Sequence, residues 1–352
     1  MPFDEPMASS QAAIKELTET DFDRWDAYVA SSPDATFFHR AGWKRVIERS
    51  FGQRTYFLYA ERSNRIEGLV PLAHYKSALF GSGLISNGCC MGGGPIADSE
   101  QVHDRLDANA DALMESLKAQ FLEYRRPVRR HADWAVRDDL YVTYERPIEF
   151  KEEDNLKQIP RKQRAVVRKA MTMGLGVKID SNIDRFYGLY AHTVHRLGTP
   201  VFSRAYFRNL MEEFGTDCDV LTVTKDGRPV SSVLNFYFRD RVMPYYTGAS
   251  DDARELGAAD FMYWQLMRHA VERGYKVFDF GRSKVGSGPA SFKKNWGFEP
   301  VPVVHEYRIA GGGGVPEINP RNPKYRLFIE LWKRLPLPVA NLIGPHIVRN
   351  IG

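Results

Sequence analysis

Apolar positions recur along this chain with two different periods, and the switches between them outline its elements. Spacing of three and four residues over Thr20–Tyr28 and Ala41–Ser50 predicts two helices. Alternation then takes over, so that Thr55–Ala60 and Ile66–Leu72 read as two strands about a Ser63-Asn64 turn, a hairpin. After the glycine-rich passage GSGLISNGCCMGGGP, helical period returns over Gln101–Tyr124, and Leu140–Ile148 reads as a strand.

Beyond the acidic Glu149–Asp154 the outline repeats. Helices are expected at Leu156–Met173, Ile183–Val194 and Arg204–Phe214. Strands Cys218–Val223 and Val230–Phe238 flank a Lys225-Asp226-Gly227 turn, and Val242–Gly248 is a third. A long helix, Ala259–Arg273, stops at Gly274, the residue type that most readily closes a helix in the left-handed conformation. Strand Val277–Phe280, a short helix near Ser291–Asn295 and strand Val303–Ile309 follow. The halves share an order of elements rather than a sequence, which points to a structural duplication. The expected architecture is mixed α+β with domains at 12–152 and 153–310. A tail, 311–352, begins with a Gly311–Gly314 linker, and its six later prolines predict short helix and extended wrapping.

Composition narrows the class. The chain of 352 residues is 43% hydrophobic, ample for two cores. A net charge of +5 permits an anionic substrate or a membrane surface but is weak for a DNA-binding protein. Cys89, Cys90 and Cys218 lack the spacing of a zinc or redox motif, which fits a reducing cytoplasm. The first residues do not read as a signal peptide, and no run reaches the roughly 18 apolar residues of a membrane span.

Three stretches carry candidate chemistry. The first is Arg254-x-x-Gly257-x-Ala259, between a strand and the long helix. A glycine loop opening a helix aims free N–H groups at an anion, and Arg254 adds a charge. The second is FDFGRSKVGSGPASFKKNWGFEP, Phe278–Pro300, in which glycines allow a sharp loop at a strand's carboxyl end. Arg282, Lys284, Lys293 and Lys294 make that loop electropositive, with Ser283 beside them. The third is LKQIPRKQRAVVRK, with six basic residues and no acid between Lys157 and Lys169. Pro160 suits a first helical turn that sets Arg161, Arg164 and Arg168 on one face, a stripe for an anionic substrate, tRNA or membrane phosphate. His192, His195 and His269 have no second ligand at metal spacing, so no metal site is expected.

The first of these stretches resembles the pyrophosphate loop of the Gcn5-related N-acetyltransferase (GNAT) fold. Together with VMPYYTGASDDARELGAADFMYW, VHRLGTPVFSRAYFRNLMEEFG, IPRKQRAVVRKAMTMGL and KRLPLPVANLIGPHIVRNIG, the Phe278–Pro300 stretch resembles the FemAB-like acyltransferases, in particular the branch associated with the exosortase/PEP-CTERM system. The resemblance implies two tandem GNAT-like domains, the second catalytic, with Lys293 matching the lysine of the family's Phe-Lys-x-x-Trp-Gly motif. FemAB proteins move an amino acid from aminoacyl-tRNA to an amine on a cell-wall precursor; this branch lies with exopolysaccharide and protein-sorting genes, and the resemblance leaves its acceptor open. SNGCCMGGGP departs from the family pattern.

Acyl transfer to an amine needs alignment, a proton acceptor and stabilisation of the oxyanion. No Ser-His-Asp arrangement or nucleophile elbow is legible, so direct transfer is expected. Lys293 and Lys284 are placed as the charges near the reacting carbonyl, with Asp279, Tyr245 and Tyr246 handling the proton or orienting the acceptor. Three functions follow: an acyl- or aminoacyltransferase on a cell-envelope or exopolysaccharide intermediate, a coenzyme A-dependent N-acyltransferase on a small metabolite, or a non-catalytic assembly scaffold. No tightly bound cofactor is expected. The donor is aminoacyl-tRNA or acyl-CoA, and the location is the cytoplasm, with peripheral contact at the inner membrane face.

Overall fold

The computed structural model describes residues 11–77, 81–88, 90–312, 314–315 and 323–349. They form two compact units: one runs to Arg137 and resumes at Val304, and the other runs from Asp138 to Val303 and resumes in the C-terminal helices. The first unit opens with β1 (Ala13–Glu16), α1 (Phe22–Ser31), α2 (Gly42–Phe51), β2 (Arg54–Arg62) and β3 (Arg65–Ser77). It continues with β4 (Gly81–Ser86), β5 (Ile96–Ala97), α3 (Glu100–Ser116), β6 (Phe121–Arg126) and β7 (Ala135–Arg137). The second unit holds β8 (Tyr141–Thr143), β9 (Glu145–Pro147), α4 (Glu152–Gln158), α5 (Arg161–Met171), β10 (Leu175–Asp180), α6 (Asp184–Leu197) and α7 (Arg204–Phe214). It goes on through β11 (Cys218–Lys225), β12 (Arg228–Phe238), β13 (Arg241–Ala249), α8 (Ala253–Leu256), α9 (Ala258–Glu272) and β14 (Val277–Asp279). Then come β15 (Ser283–Lys284), α10 (Gly288–Asn295) and β16 (Val301–Pro302), after which β17 (Val304–Ile309) belongs to the first unit and α11 (Pro323–Arg334) and α12 (Leu337–Val348) to the second.

In the first unit the strands order as β1-β2-β3-β4-β6-β17-β7, with β5 on β3. The hairpin turn is as read: Ser63 and Asn64 both take the left-handed conformation that two-residue hairpin loops need. α1 and α2 bury Trp25, Trp43, Val46 and Ile47, and the Trp25 indole donates to the His39 carbonyl at 2.6 Å. The helix read over Gln101–Tyr124 ends at Ser116; Lys118 turns the chain at positive φ, and Phe121 begins a strand buried on both faces, whose sequence therefore does not alternate.

Two sheets build the second unit, β10-β11-β12-β13-β14-β9 and the small β15-β8-β16. Pro160 splits the helix read at Leu156–Met173, because the residue before proline is driven to extended backbone, here Ile159 at ψ 128°. β10 is an edge strand with most of its residues exposed; Leu175, Val177 and Ile179 alternate with Gly176, Lys178 and Asp180, a strand pattern too short to stand out beside the long helices around it. The core gathers Trp264, Trp296, Tyr237, Phe278, Phe280 and Phe298.

The expected domain limits move. Residues 138–152 lie in the second unit because β9 pairs with β14, and Val304–Ile309, expected in the second domain, pairs along its length with β6. A strand's own pattern shows that it is a strand but not which neighbour it will bond. The tail also differs from extended wrapping: Pro336 and Pro338 sit at the start of α12, where a missing N–H costs nothing. Both tail helices pack on α6. A Cβ on Gly198 would meet Ile329 at 2.5 Å and one on Gly344 would meet Val201 at 2.9 Å, so glycine at both positions seats them closely. The linker residue 313 and the tail residues 316–322 lie outside the described residues, as does Cys89. Among the described residues no helix is long and apolar enough to cross a membrane.

Candidate active site

In the second unit β13 and β14 run parallel and pair only at Arg241↔Val277 and Val242↔Phe278. Past that point β14 leaves β13 and follows β9, while β13 continues to Ala249. β13 bulges where the strands part. Leu234 faces Tyr246 and Asn235 faces Pro244, which leaves Tyr245 as the extra residue. Pro244, with no N–H to give the ladder, is the sequence mark of this irregularity, which the pattern reading passed over.

Asp279 ends β14 beside the split. Its Oδ1 accepts the Gly281 N–H at 2.9 Å, and the left-handed Gly281 (φ 67°) turns the chain sharply. From α10, whose start is capped by the Ser287 hydroxyl, Lys293 reaches back and donates Nζ to the carbonyls of Gly281 at 2.9 Å and Arg282 at 3.3 Å. The two peptide groups that flank the Gly281 Cα are thus held, the N–H by Asp279 and the carbonyl by Lys293. Burial pushes Asp279 up to about 6, with Glu145, its cross-strand neighbour, adding to the rise, while the Gly281 N–H, Arg241 and Lys293 oppose it. Burial pulls Lys293 down to about 8, against the pull of Asp279. Both groups therefore titrate close to neutrality, the range in which proton transfer is efficient.

Around this pair, Arg282 lies over the Tyr141 ring at 4.3 Å, and the Lys293 ammonium lies 5.5 Å from the centre of the Tyr144 ring. Ser283 is buried in register with Val142, and its hydroxyl has no hydrogen-bond partner among the described residues. Lys284 pairs with Tyr141 in the same small sheet, and its carbonyl accepts from the Ser287 hydroxyl at 2.7 Å. Tyr144 was not singled out by sequence; it sits in an apolar run that reads as core, and its buried hydroxyl is also without a partner among the described residues.

The other expected residues take different roles. The Tyr246 hydroxyl meets that of Tyr206 at 2.9 Å inside a cluster with Tyr190, Phe202 and Phe207. Burial pushes its pKa well above the ordinary tyrosine value, which keeps the phenol protonated, a hydrogen-bond donor and not a base. Tyr245, half-buried, packs on Phe236 at 5.1 Å. In the glycine loop, Gly257 is left-handed (φ 64°) and joins α8 to α9, as the loop reading requires. Arg254 is exposed, yet Asp251, Asp252 and Glu255 share its loop. Ala259 is followed by Asp260, whose buried Oδ1 accepts from the Trp296 indole at 2.9 Å and from Gln163 of α5. A carboxyl in the first turn of α9 already answers the helix dipole, and a Cβ on Gly257 would lie 3.0 Å from Ala170 of α5. In the basic stripe, Arg161 and Arg168 are exposed, whereas Arg164 turns back to donate to the Ile159 and Lys157 carbonyls at 3.1 and 3.3 Å and closes the end of α4.

The Trp-Gly-Phe run is explained by packing. Gly297 is left-handed, and a Cβ there would sit 2.9 Å from the Gln158 carbonyl and 3.0 Å from Pro160, so only glycine lets the end of α10 meet the α4–α5 kink. Phe298 lies under Arg146 at 4.2 Å. Among the described residues no group of three metal-ligating side chains is gathered.

Residues 155–294 match the family described as Acetyltransferase (GNAT) domain. The second unit thus contains a GNAT acetyltransferase domain, and the fold as a whole is that of FemAB-like tandem GNAT proteins. Among solved structures, FemX superposes with a TM-score of 0.67 at 16% identity, covering 90% of this chain and all (100%) of its own. A tandem GNAT protein from the clavulanic acid biosynthesis pathway gives 0.52 at 13% identity, over 86% of this chain and 100% of its own. The C-terminal domain of a putative lysylphosphatidylglycerol synthetase from Agrobacterium fabrum gives 0.55 at 14%, over 82% and 91%. None of the curated proteins matches by sequence.

Proposed function

We propose that the chain forms an amide by direct transfer of an aminoacyl group from aminoacyl-tRNA to an amine on a cell-envelope or exopolysaccharide intermediate. The observation that carries this reading is the Asp279–Gly281–Lys293 arrangement at the point where β13 and β14 part. Asp279 takes the proton released as the amine attacks, and Lys293 stabilises the oxyanion that develops on the transferred carbonyl. The new C–N bond replaces the ester C–O bond, and the tRNA 3′ oxygen leaves as a hydroxyl, taking up the proton that Asp279 accepted from the amine. Arg282 and Lys284 hold a phosphate of donor or acceptor. A tRNA ester is favoured over coenzyme A because α5 presents Arg161, Lys162, Arg168 and Lys169 to solvent, a basic stripe suited to a polyanion. The names of the fold relatives FemX and lysylphosphatidylglycerol synthetase agree in kind with an envelope acceptor.

The test is the unfolding midpoint of the intact chain with charged tRNA and, in parallel, with coenzyme A thioesters, since a ligand of the folded state raises it by mass action. Charged tRNA should raise it, and the rise should weaken with salt and in the Arg161→Glu, Arg168→Glu double variant. A rise with a thioester that Arg254→Ala removes would replace this reading with coenzyme A-dependent N-acyl transfer.

A further inference from the structure

The two C-terminal helices carry apolar residues on both their sides. α12, LPVANLIGPHIV, holds no charged residue, and a helix apolar all round is ordinarily buried in a core or in lipid. Its Ala340, Gly344 and Val348 are buried, while Val339, Leu342 and Ile343 are exposed, Leu342 by 72%. α11 divides in the same way: Trp332 is buried with its ring stacked on Phe328, and Leu327 and Leu331 stand out at 69% and 55%. Six of the fourteen large apolar side chains exposed among the described residues fall in these two helices, a concentration that single exposed leucines elsewhere do not make.

The charge beside these residues selects the partner. From Pro323 to Val348 the sequence has Lys324, Arg326, Lys333 and Arg334 against Glu330 alone. Lys333 and Arg334 are exposed at the end of α11, and the pair Lys333 makes with Glu330 at 3.5 Å is exposed and weak. Aliphatic side chains flanked by cations, with one acid, complement an anionic lipid surface: the chains enter the acyl boundary and the cations reach headgroup phosphates. We propose that α11 and α12 form a docking face for an anionic bilayer, peripheral and not spanning. The proposal does not depend on the donor or acceptor named above, because vesicle binding requires no turnover.

Sedimentation of the full chain with phosphatidylglycerol vesicles and with phosphatidylcholine vesicles tests it. Binding to phosphatidylglycerol should be roughly tenfold stronger, fade at high salt, and weaken roughly fivefold for each cation removed in Arg334→Ala and Lys333→Ala. Leu331→Glu and Leu342→Glu should abolish binding without moving the unfolding midpoint, since both side chains already face solvent. An intact chain that ignores phosphatidylglycerol overturns the proposal. So does equal binding to both lipids, or self-association that Leu342→Glu removes from a chain that binds no vesicle, which assigns the face to a second copy.

Discussion

At the residue scale, the decisive feature is that a carboxylate and an ammonium grip the backbone on the two sides of one residue, Gly281. Lys293 cannot be read as a mere surface charge, since its ammonium is buried and its hydrogen bonds end on backbone carbonyls. Nor is it a simple ion-pair partner, because the Gly281 backbone lies between it and Asp279. With Asp279 near 6 and Lys293 near 8, the protonation state that has a free carboxylate and a charged ammonium is most populated between those values. Amide formation should therefore follow a bell-shaped pH profile, falling below about 6 as Asp279 is protonated and above about 8 as Lys293 loses its proton. Asp279→Asn should lower kcat by roughly 10²–10⁴-fold and remove the acid limb, and Lys293→Met should remove the alkaline limb. A profile unchanged in limb positions in either variant would show that the pair only shapes the loop.

At the scale of elements, a junction in the first unit gives a separate prediction. Loop residue His131 stacks on Trp134 at 4.0 Å and lies between Asp107 of α3, at 3.1 Å, and Glu306 of β17, at 3.4 Å. Burial alone would lower its pKa, but the hydrogen bond to Asp107 and the nearby Glu306 carboxylate outweigh that and raise it to about 9. Arg126, Arg130 and His103 also surround these carboxylates, and burial with the two arginines pulls His103 down to about 4. A folded-state pKa above the ordinary value means stability that is full below about 6.5 and lost as pH rises through about 9. Allowing for solvent screening, the effect should be about 1–2 kcal/mol, read as a fall in unfolding midpoint between those pH values that His131→Gln abolishes. The same junction shows what sequence could and could not reveal. Turns were legible where one residue type dictates geometry, as at Ser63-Asn64 and Gly274, and so were elements with a clear period, such as α7. β17 was legible as a strand, but its place between β6 and β7, which brings Glu306 to His131, depends on a partner more than a hundred residues away. At the candidate site Lys293 stands out through the family's motif and Asp279 through its place at a strand end, but that both meet Gly281 is visible only in the fold, as is the packing of Tyr246 among Tyr206, Phe202 and Phe207.

At the scale of the whole molecule, the duplication raises the question of how many donors one chain binds. Each unit contains one parallel strand pair that ends early, β4 with β6 in the first and β13 with β14 in the second. In the first, the region beyond the last pair is filled by the unit itself. The buried Ser86 hydroxyl accepts the Arg125 N–H at 3.1 Å, and the Arg125 guanidinium binds Glu123 and the Cys90 carbonyl. A Cβ on Gly93 would come within 2.8 Å of the Ser86 carbonyl, so the glycine-rich loop lies tight against that strand end. Gly93 and Cys90, both in the stretch that departs from the family pattern, thus pack at the first unit's strand end. In the second, β13 bulges at the parting, Tyr245 to Thr247 stay partly exposed, and titratable groups line the turn that leaves β14. The two units therefore divide their labour, and titration calorimetry with charged tRNA should give one donor per chain. Asp279→Asn should leave that stoichiometry unchanged while lowering kcat as above, since the role proposed for the carboxylate is on the amine and not on the donor. A stoichiometry of two would mean that the loop over Ser86 opens, and would make the first unit a second binding domain.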